Sequence, residues 1–399
     1  MTRHLLYLLL TIILLACESA PQDQDNQVES LIAELKSQFA PDGRVAIFKV
    51  EAKSSKGGLV LSGKTDMSEA KDALLSALDE KQVSYIDSLE VFPSEKLEGK
   101  HWGIINNSVS NIRSQPRHSG ELATQALLGM PVKVLDQDGE WYLIQTPDDY
   151  ISWIDHGGLI LMNEDEYNEW QSTPKLIFTA VSGYAYIDKE ESGNVSDLVL
   201  GDVLSILEES ENHFEVGYPD GRTAFIRKSE ATRLVVWISQ SNNEVAPMID
   251  QAMDLMGRPY LWGGTSVKGM DCSGFTKSLY LLNGLIIPRD ASQQVHAGEL
   301  IDDKMEWGKL QPGDLLFFGR PKSEESRERV VHVGMWIGDS SFIHASKQVR
   351  VSSVNSSAPN YDEFNTNRYL RTKRFVGSPT GNIINLREEN IYTKSLAND

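Results

Sequence analysis

Cysteine is almost missing from this sequence: 399 residues contain two, Cys17 and Cys272. So few thiols exclude the disulfide framework on which many exported domains depend. Positive charge is also in deficit, with 38 Lys and Arg against 57 Asp and Glu and a formal net charge of -19. A phosphate backbone would be repelled before contact, which excludes nucleic acid as a partner. The apolar run from Leu5 to Leu15 is too short to cross a bilayer comfortably. What is present is an apolar share of 40%, suited to soluble globular domains, on a chain too long for one compact core. Two to four domains are expected.

The first residues read as an export signal: Arg3 and His4, the apolar run, then Ala16 and Cys17. Leu14-Leu15-Ala16-Cys17 resembles the lipobox of bacterial lipoproteins, which implies that Cys17 is lipidated and that residues 1–17 are a signal peptide. Residues 18–27 are polar and acidic and read as a tether holding the body away from a membrane. The expected location is the cell envelope, outside the cytoplasm. With Cys17 so used, Cys272 is a thiol without a partner in an oxidising compartment, and therefore a candidate nucleophile.

Residues 28–95 combine helical patterns (Leu31, Ile32, Leu35; Met67 to Leu78) with strand-like runs (Val45 to Val50, Leu59 to Leu61, Val83 to Phe92). A small α+β domain without a chemical motif is expected there. Residues 96–165 and 172–238 hold short β-type runs separated by turns such as Asp138-Gly139 and Pro219-Asp220-Gly221. The first of these, through Asn111 to Pro116, Val132 to Leu135, Trp141 to Gln145 and Tyr150 to Ile154, resembles the bacterial SH3-like barrel. The second is similar more loosely. Residues 242–385 open with a helix expected to present Ile249, Ala252, Met253 and Met256 on one face and to stop at Gly257 and Pro259.

Chemistry begins directly afterwards. Asp271 is a plausible N-cap for a helix bearing Phe275, Leu279 and Leu282 on one face, which puts Cys272 in its first turn. There the dipole favours thiolate over thiol. A base must share the proton. His332 lies in the β-type run Val330 to Ile337 and His344 in Ser341 to Ala345, with Gly338-Asp339 as the turn between them. Equal parity across that turn points both imidazoles to one face as diagonal neighbours, so that His344 can orient His332. A lone cysteine is commonly a small buried hydrophobe and a lone strand histidine a satisfied core residue; the combination is what points to catalysis.

Six segments carry a resemblance: Gly257 to Gly264, Asp271 to Phe275, Pro288 to Gln294, Leu310 to Leu315, His332-Val333-Gly334 and Phe342 to Ala345. In this order they resemble the motifs of the NlpC-type cell-wall cysteine peptidases. The resemblance covers the last third of the chain and implies a papain-like α+β domain, with Cys272 as nucleophile, His332 as base then acid, and His344 orienting it. It assigns Tyr260 to the oxyanion, beside the backbone N–H of Cys272. The fold class expected is thus multidomain α+β: a small α+β domain, two SH3-like barrels and the peptidase domain.

With its N-terminal barrels the chain is similar to the γ-D-glutamyl-L-diamino acid endopeptidases, which implies murein stem peptides with a free L-alanine as substrate. By that resemblance Asp271 and Ser273 hold the free amine, Trp262 lines the pocket, and Ser292, Arg113, Glu121 and Tyr150 reach toward ligand. Action on intact or cross-linked peptidoglycan stays open, as does a non-catalytic wall-binding role. A monomer is expected. No cofactor and no metal is expected, because no ligand motif accompanies the cysteine and the two histidines. The mixed-charge loop Arg320 to Arg329 reads as an exposed excursion.

Overall fold

The computed structural model of the chain describes residues 21–55, 58–241, 244–377 and 380–394. Cys17, the signal segment 1–17 and the start of the tether lie outside them. The described chain forms two compact units, the first ending at Phe92 and the second beginning at Pro93.

The first unit holds α1 (Pro21–Phe39), β1 (Phe48–Ser55), β2 (Gly58–Thr65), α2 (Ser68–Glu80) and β3 (Tyr85–Val91). An antiparallel β1–β2 hairpin is joined through α2 to β3, parallel to β2. Val28, Ile32 and Leu35 of α1 and Ala70, Leu74 and Leu78 of α2 bury the helical stripes against Leu59, Leu61 and Leu89. One expectation is corrected: residues 21–27, read as part of a tether, are helical. Proline suits a first helical turn, where its missing N–H costs nothing.

The second unit starts with a seven-stranded antiparallel sheet of β4 (Trp102–Ile105), β5 (Val109–Arg113), β6 (Leu122–Leu127), β7 (Pro131–Asp138), β8 (Trp141–Gln145), β9 (Ile151–Asp155) and β10 (Leu159–Met162), in the order β10-β4-β7-β8-β9-β5-β6. After α3 (Glu164–Ser172) comes a second one: β11 (Lys175–Phe178), β12 (Ser182–Tyr186), β13 (Asn194–Val199), β14 (Val203–Glu209), β15 (His213–Gly217), β16 (Thr223–Arg227) and β17 (Ala231–Arg233), ordered β13-β12-β16-β15-β14-β11-β17. These occupy the segments read as barrels.

The C-terminal block follows α4 (Leu234–Gln240) and α5 (Val245–Asp254). In α5 the buried positions are Met248 and Ala252, followed by Leu255, spaced by four and three residues, whereas Met253 and Met256 are exposed. The expected face was displaced: the stripe at 248, 252 and 255 is the one that meets the core. A small hairpin, β18 (Thr265–Ser266) and β19 (Gly269–Met270), leads into α6 (Cys272–Leu281), β20 (Leu285–Ile286) and α7 (Ala291–Gln294). Then come β21 (Glu299–Asp302), β22 (Leu315–Arg320), β23 (Arg329–Gly338), β24 (Ser341–Ser346), β25 (Gln348–Ser353), α8 (Glu363–Thr366), β26 (Tyr369–Arg374) and β27 (Ile384–Asn385).

An antiparallel sheet in the order β21-β26-β22-β23-β24-β25 carries α6 across its middle, with Phe275 and Leu279 packed on Val333, Met335 and Ile343. The β23–β24 turn places Asp339 and Ser340 at φ +47° and +58°, left-handed values that match a tight hairpin. The coarse plan is as read from the sequence: a small α/β unit, two β-rich sheets and a C-terminal α+β block. No helix among the described residues is long and apolar enough to cross a membrane.

Candidate active site

Helix α6 starts at Cys272 because Asp271 caps it. The Asp271 carboxylate accepts from Gly274 N at 2.7 Å while its own backbone stays extended. Gly274 is required there, since a Cβ would stand 2.0 Å from the Gly264 carbonyl oxygen. Cys272 is therefore in the first turn, as expected, but its exposure is 7%. Burial pushes its thiol up to about 12 and the charge of Asp271 adds to this, outweighing the amides of Val333 and Ser273 and the cation of Arg289. The dipole of the helix start favours the thiolate, but burial and the charge of Asp271 outweigh it, so the resting group is the thiol. Tyr260 is half-buried, its phenol raised by burial and by the charges of Cys272 and Asp271, so it remains a hydroxyl donor near the sulfur.

The two histidines meet as diagonal neighbours on one face of the hairpin. His332 Nε2 lies 2.7 Å from His344 Nδ1, with the rings at 72° and both side chains buried. On its far side His344 Nε2 is 3.1 Å from Ser352 Oγ and 3.8 Å from Asp362 Oδ2. Arg350 Nε approaches the same nitrogen at 3.4 Å. Burial, then the neighbouring imidazole and cations, holds His332 well below the ordinary histidine value, and burial with Arg350 and Arg368 brings His344 to about 3. Both rings are neutral at physiological pH. Val333, the residue after His332, lends its backbone amide to Cys272, which brings sulfur and base strand together.

Arg289 is the residue that sequence reasoning missed. Quoted only as part of a motif, it is 1% exposed, and a buried guanidinium must be paired. Its NH2 donates to Asp271 Oδ2 at 2.7 Å and its NH1 to Asp271 Oδ1 at 3.1 Å and Ser273 Oγ at 3.0 Å. Asp271 also accepts from Gly263 N at 2.9 Å and from Ser273 Oγ at 3.2 Å. The carboxylate expected to hold a substrate amine is thus already paired with Arg289 and surrounded by donors. Asp271 and Ser273 position the helix start.

The first sheet reaches this network directly. Arg289 Nε donates to Thr124 Oγ1 at 3.0 Å, and the buried Tyr150 phenol lies near Arg289. Glu121 Oε1 accepts from Trp262 Nε1 at 2.6 Å, with both residues exposed at the rim. Gly263, at φ +78°, allows the close approach, because a Cβ would sit 2.2 Å from the Leu122 carbonyl oxygen. Arg113, by contrast, donates to Gly120 O at 2.9 Å and braces its own hairpin. Ser292 lies within α7, whose cap is Asp290. No group of three or more His, Cys, Asp or Glu able to hold a metal occurs among the described residues. Two cavities of about 310 and 600 Å³ lie elsewhere, and neither is lined by Cys272, His332 or His344.

Comparison with known proteins agrees with this arrangement. The model of the NlpC/P60 family matches residues 257–368, and that of the bacterial dipeptidyl-peptidase Sh3 domain matches residues 112–159. A gamma-D-glutamyl-L-lysine dipeptidyl-peptidase of Bacillus cereus is 32% identical over 275 residues, 65% of this chain and 77% of that protein. The protein of the same name from Bacillus subtilis is 30% identical over 57% of this chain and 73% of its own length. A crystal structure of an NlpC/P60 family protein from Bacillus cereus superposes with a TM-score of 0.56 at 25% identity, covering 69% of this chain and 99% of the other.

Proposed function

This chain belongs to the NlpC/P60 family of cysteine peptidases, and we propose that it hydrolyses the bond between γ-D-glutamate and the following L-diamino acid in murein stem peptides whose N-terminal L-alanine is free. The observation that carries this is a nucleophile and histidine pair with a wall built by the first sheet, including the Glu121–Trp262 contact. The gamma-D-glutamyl-L-lysine specificity in the names of its relatives supports the bond chosen. Both sheets are taken as SH3-like barrels, the second for its matching strand number and antiparallel pairing.

The chemistry starts from neutral partners. General-base action requires the tautomer in which His332 Nε2–H donates to His344 Nδ1 and His332 Nδ1 keeps a lone pair; His344 Nε2–H then turns to Ser352 and Asp362, and Arg350 Nε gives up its 3.4 Å contact with that nitrogen. His332 takes the thiol proton as sulfur attacks the γ-carbonyl carbon, general-base catalysis without a resting ion pair. Tyr260 and the Cys272 amide meet the developing oxyanion. Collapse breaks the C–N bond, His332 returns the proton to the departing amine, and water then cleaves the thioester to release L-Ala-D-Glu. Glu121 replaces Asp271 as the carboxylate for the substrate ammonium, because it stands at the rim while Asp271 is spent on Arg289.

Mass spectrometry of L-Ala-γ-D-Glu-L-diamino acid digests should show the L-Ala-D-Glu dipeptide with the wild type and none with Cys272→Ala. Full activity of that variant would remove the mechanism. Preference for an N-acylated peptide would instead transfer the activity to intact or glycan-linked murein. We further infer extracytoplasmic attachment through a lipid on Cys17, supported by Leu14-Leu15-Ala16-Cys17. Labelling with a fatty-acid analogue should mark the wild type and spare Cys17→Ala; equal labelling of both would refute it.

A further inference from the structure

Across the sheet from the barrel wall stands a guanidinium that this chemistry leaves unused. Arg368 lies immediately before β26, and its carbonyl accepts from Gly319 N at 2.8 Å. Neighbouring Phe318 of β22 pairs with His332 on one side and Tyr369 on the other, so Arg368 is set one strand away from the base. Its Nε and NH2 donate to Asn365 Oδ1 at 3.0 and 2.7 Å. Its plane packs 4.1 Å from the ring centre of Phe364, which is 70% exposed. Arg350 pairs with Asp362 at 3.5 Å; among the described residues Arg368 has no carboxylate within ion-pair distance and feels Asp362 only from behind Asn365, whose Nδ2 donates to Asp362 Oδ2 at 2.7 Å. Its charge nevertheless bears on both imidazoles and on Cys272.

Direction follows from strand order. The segment 257–260, which leads to Trp262, runs beside β25: Gly257 N donates to Val349 O and Tyr260 N to Lys347 O, both at 2.9 Å. From that edge the order is β25, β24 with His344, β23 with His332, β22, and β26 preceded by Arg368. A substrate whose acyl half lies against the Glu121–Trp262 wall sends its leaving half toward the opposite side. On a chain of net charge -19, a cation fixed by an amide and an aromatic face, with no protein carboxylate in direct contact, suits an anionic ligand.

We propose that Arg368, seated on Phe364, receives a carboxylate of the leaving diamino acid. The inference rests on the hydrolysis proposed above and adds to it the recognition of the departing side. The carboxylate is the α-carboxylate of a terminal residue or the side-chain carboxylate of a diaminopimelate-type residue, and substrates separate these sources.

The test is steady-state kinetics on L-Ala-γ-D-Glu-L-Lys, its C-terminal carboxamide, and the corresponding diaminopimelate peptide with only its α-carboxylate amidated. The wild type should favour the free acid over the lysine carboxamide by about 10- to 100-fold in kcat/KM, chiefly through KM, the range of one charge-assisted bidentate contact. Arg368→Gln should bring the ratio of acid to carboxamide to about one, on top of any common change in kcat from removing a charge that both imidazoles feel, and Arg368→Lys should keep part of the preference. An Arg368-dependent rate on the amidated diaminopimelate peptide would assign the side-chain carboxylate; its absence would assign the α-carboxylate. Equal rates on the lysine acid and carboxamide by the wild type together with no Arg368-dependent rate on the amidated diaminopimelate peptide, or an equal loss on all of these peptides in Arg368→Gln, would overturn the proposal while leaving the hydrolysis intact. Cleavage of none of these peptides by the wild type would remove the functional reading as well. If the glutamine variant fails to fold, the same ratios measured in Arg368→Lys decide the matter.

Discussion

The two seven-stranded sheets have the same strand number and the same antiparallel pairing, yet they meet the catalytic block through different chemistry. The first does so with directed polar bonds. Gln125 Oε1 accepts from Thr265 N at 3.0 Å, Lys277 Nζ of the catalytic helix donates to Asp148 Oδ2 at 2.7 Å with both side chains buried, and Thr124 receives Arg289. The second meets it chiefly with apolar contact, placing Val199 in the core that contains Cys272, where Leu127 of the first sheet also lies, and packing Leu200 against it. Its charged link, Lys268 to Asp197 at 2.5 Å, is about half exposed on both sides. Apolar burial holds bodies together without regard to angle, whereas a fork of hydrogen bonds fixes position to a fraction of an ångström. The first sheet therefore aims the site and the second supports it.

The largest break in that comparison should come from Arg289→Met. It strips a buried carboxylate of its cation and the first sheet of its tie to the nucleophile's cap, and loss of one partner in such a pair costs about 3–5 kcal/mol. Chemical denaturation should show that loss, and adding Asp271→Asn should recover part of it by removing the orphaned charge. A loss under about 1 kcal/mol, the ordinary scale of a solvated pair, would mean that Asp271 is reached by water and that the first sheet aims nothing.

Acid should act next, and on the catalytic block. His344 has its folded value near 3 against 6.5 ordinarily, and His332 is lowered too. A depressed imidazole means that the unfolded chain takes the proton first as pH falls. Stability from these rings is complete above about pH 6.5 and declines from there toward pH 3, by about 1.4 kcal/mol per pH unit for each proton that only the unfolded chain binds. Denaturation midpoints at pH 7, 6 and 5 should fall accordingly, and His344→Phe should flatten the decline. An unchanged slope in that variant would show the ring to be hydrated.

How much of this was legible beforehand depended on whether the determinant was local. Equal parity across Gly338-Asp339 was enough to place His332 beside His344, and an aspartate ahead of the apolar face of Phe275, Leu279 and Leu282 was enough to start α6 at Cys272. Arg289 and Asp271 are 18 residues apart, and their fork depends on the course of the chain from Leu282 to Asp290, which periodicity does not encode. The thiol was legible only in part. A helix dipole can be read from a cap, but the burial that outweighs it comes from a core assembled from distant segments of the chain. The displaced face of α5 shows the same limit at small scale: several apolar stripes fit its sequence, and tertiary packing chose Met248, Ala252 and Leu255.

A finer probe of the first sheet's role is Glu121→Gln. Glutamine retains an oxygen to accept from Trp262 Nε1, so the wall should survive while its charge is lost. KM for a free-amine peptide should rise by about tenfold, the scale of one charge-assisted bond at a partly exposed site, with little change for the N-acetylated peptide. An equal rise for both peptides would make Glu121 a structural strut and leave the amine to another group.

The smallest effect should be found in the second sheet. Lys268 Nζ contacts Asp197 and, at 3.0 Å, Ser108 Oγ of the first sheet's block, so this bridge is the nearest thing the second sheet has to a directed link. Its partners are about half exposed, where solvent and salt screen the attraction and two side chains lose rotamer freedom to make it. Lys268→Met should therefore cost no more than about 1 kcal/mol, and a double-mutant cycle with Asp197→Asn should give a coupling of the same order. Peptidase activity should stay within about twofold, because the apolar packing of Val199 and Leu200 persists. If activity instead fell tenfold with the melting temperature unchanged, the bridge would be setting the angle of the catalytic block. The second sheet would then aim the site as the first does, through a contact that its exposure disguises.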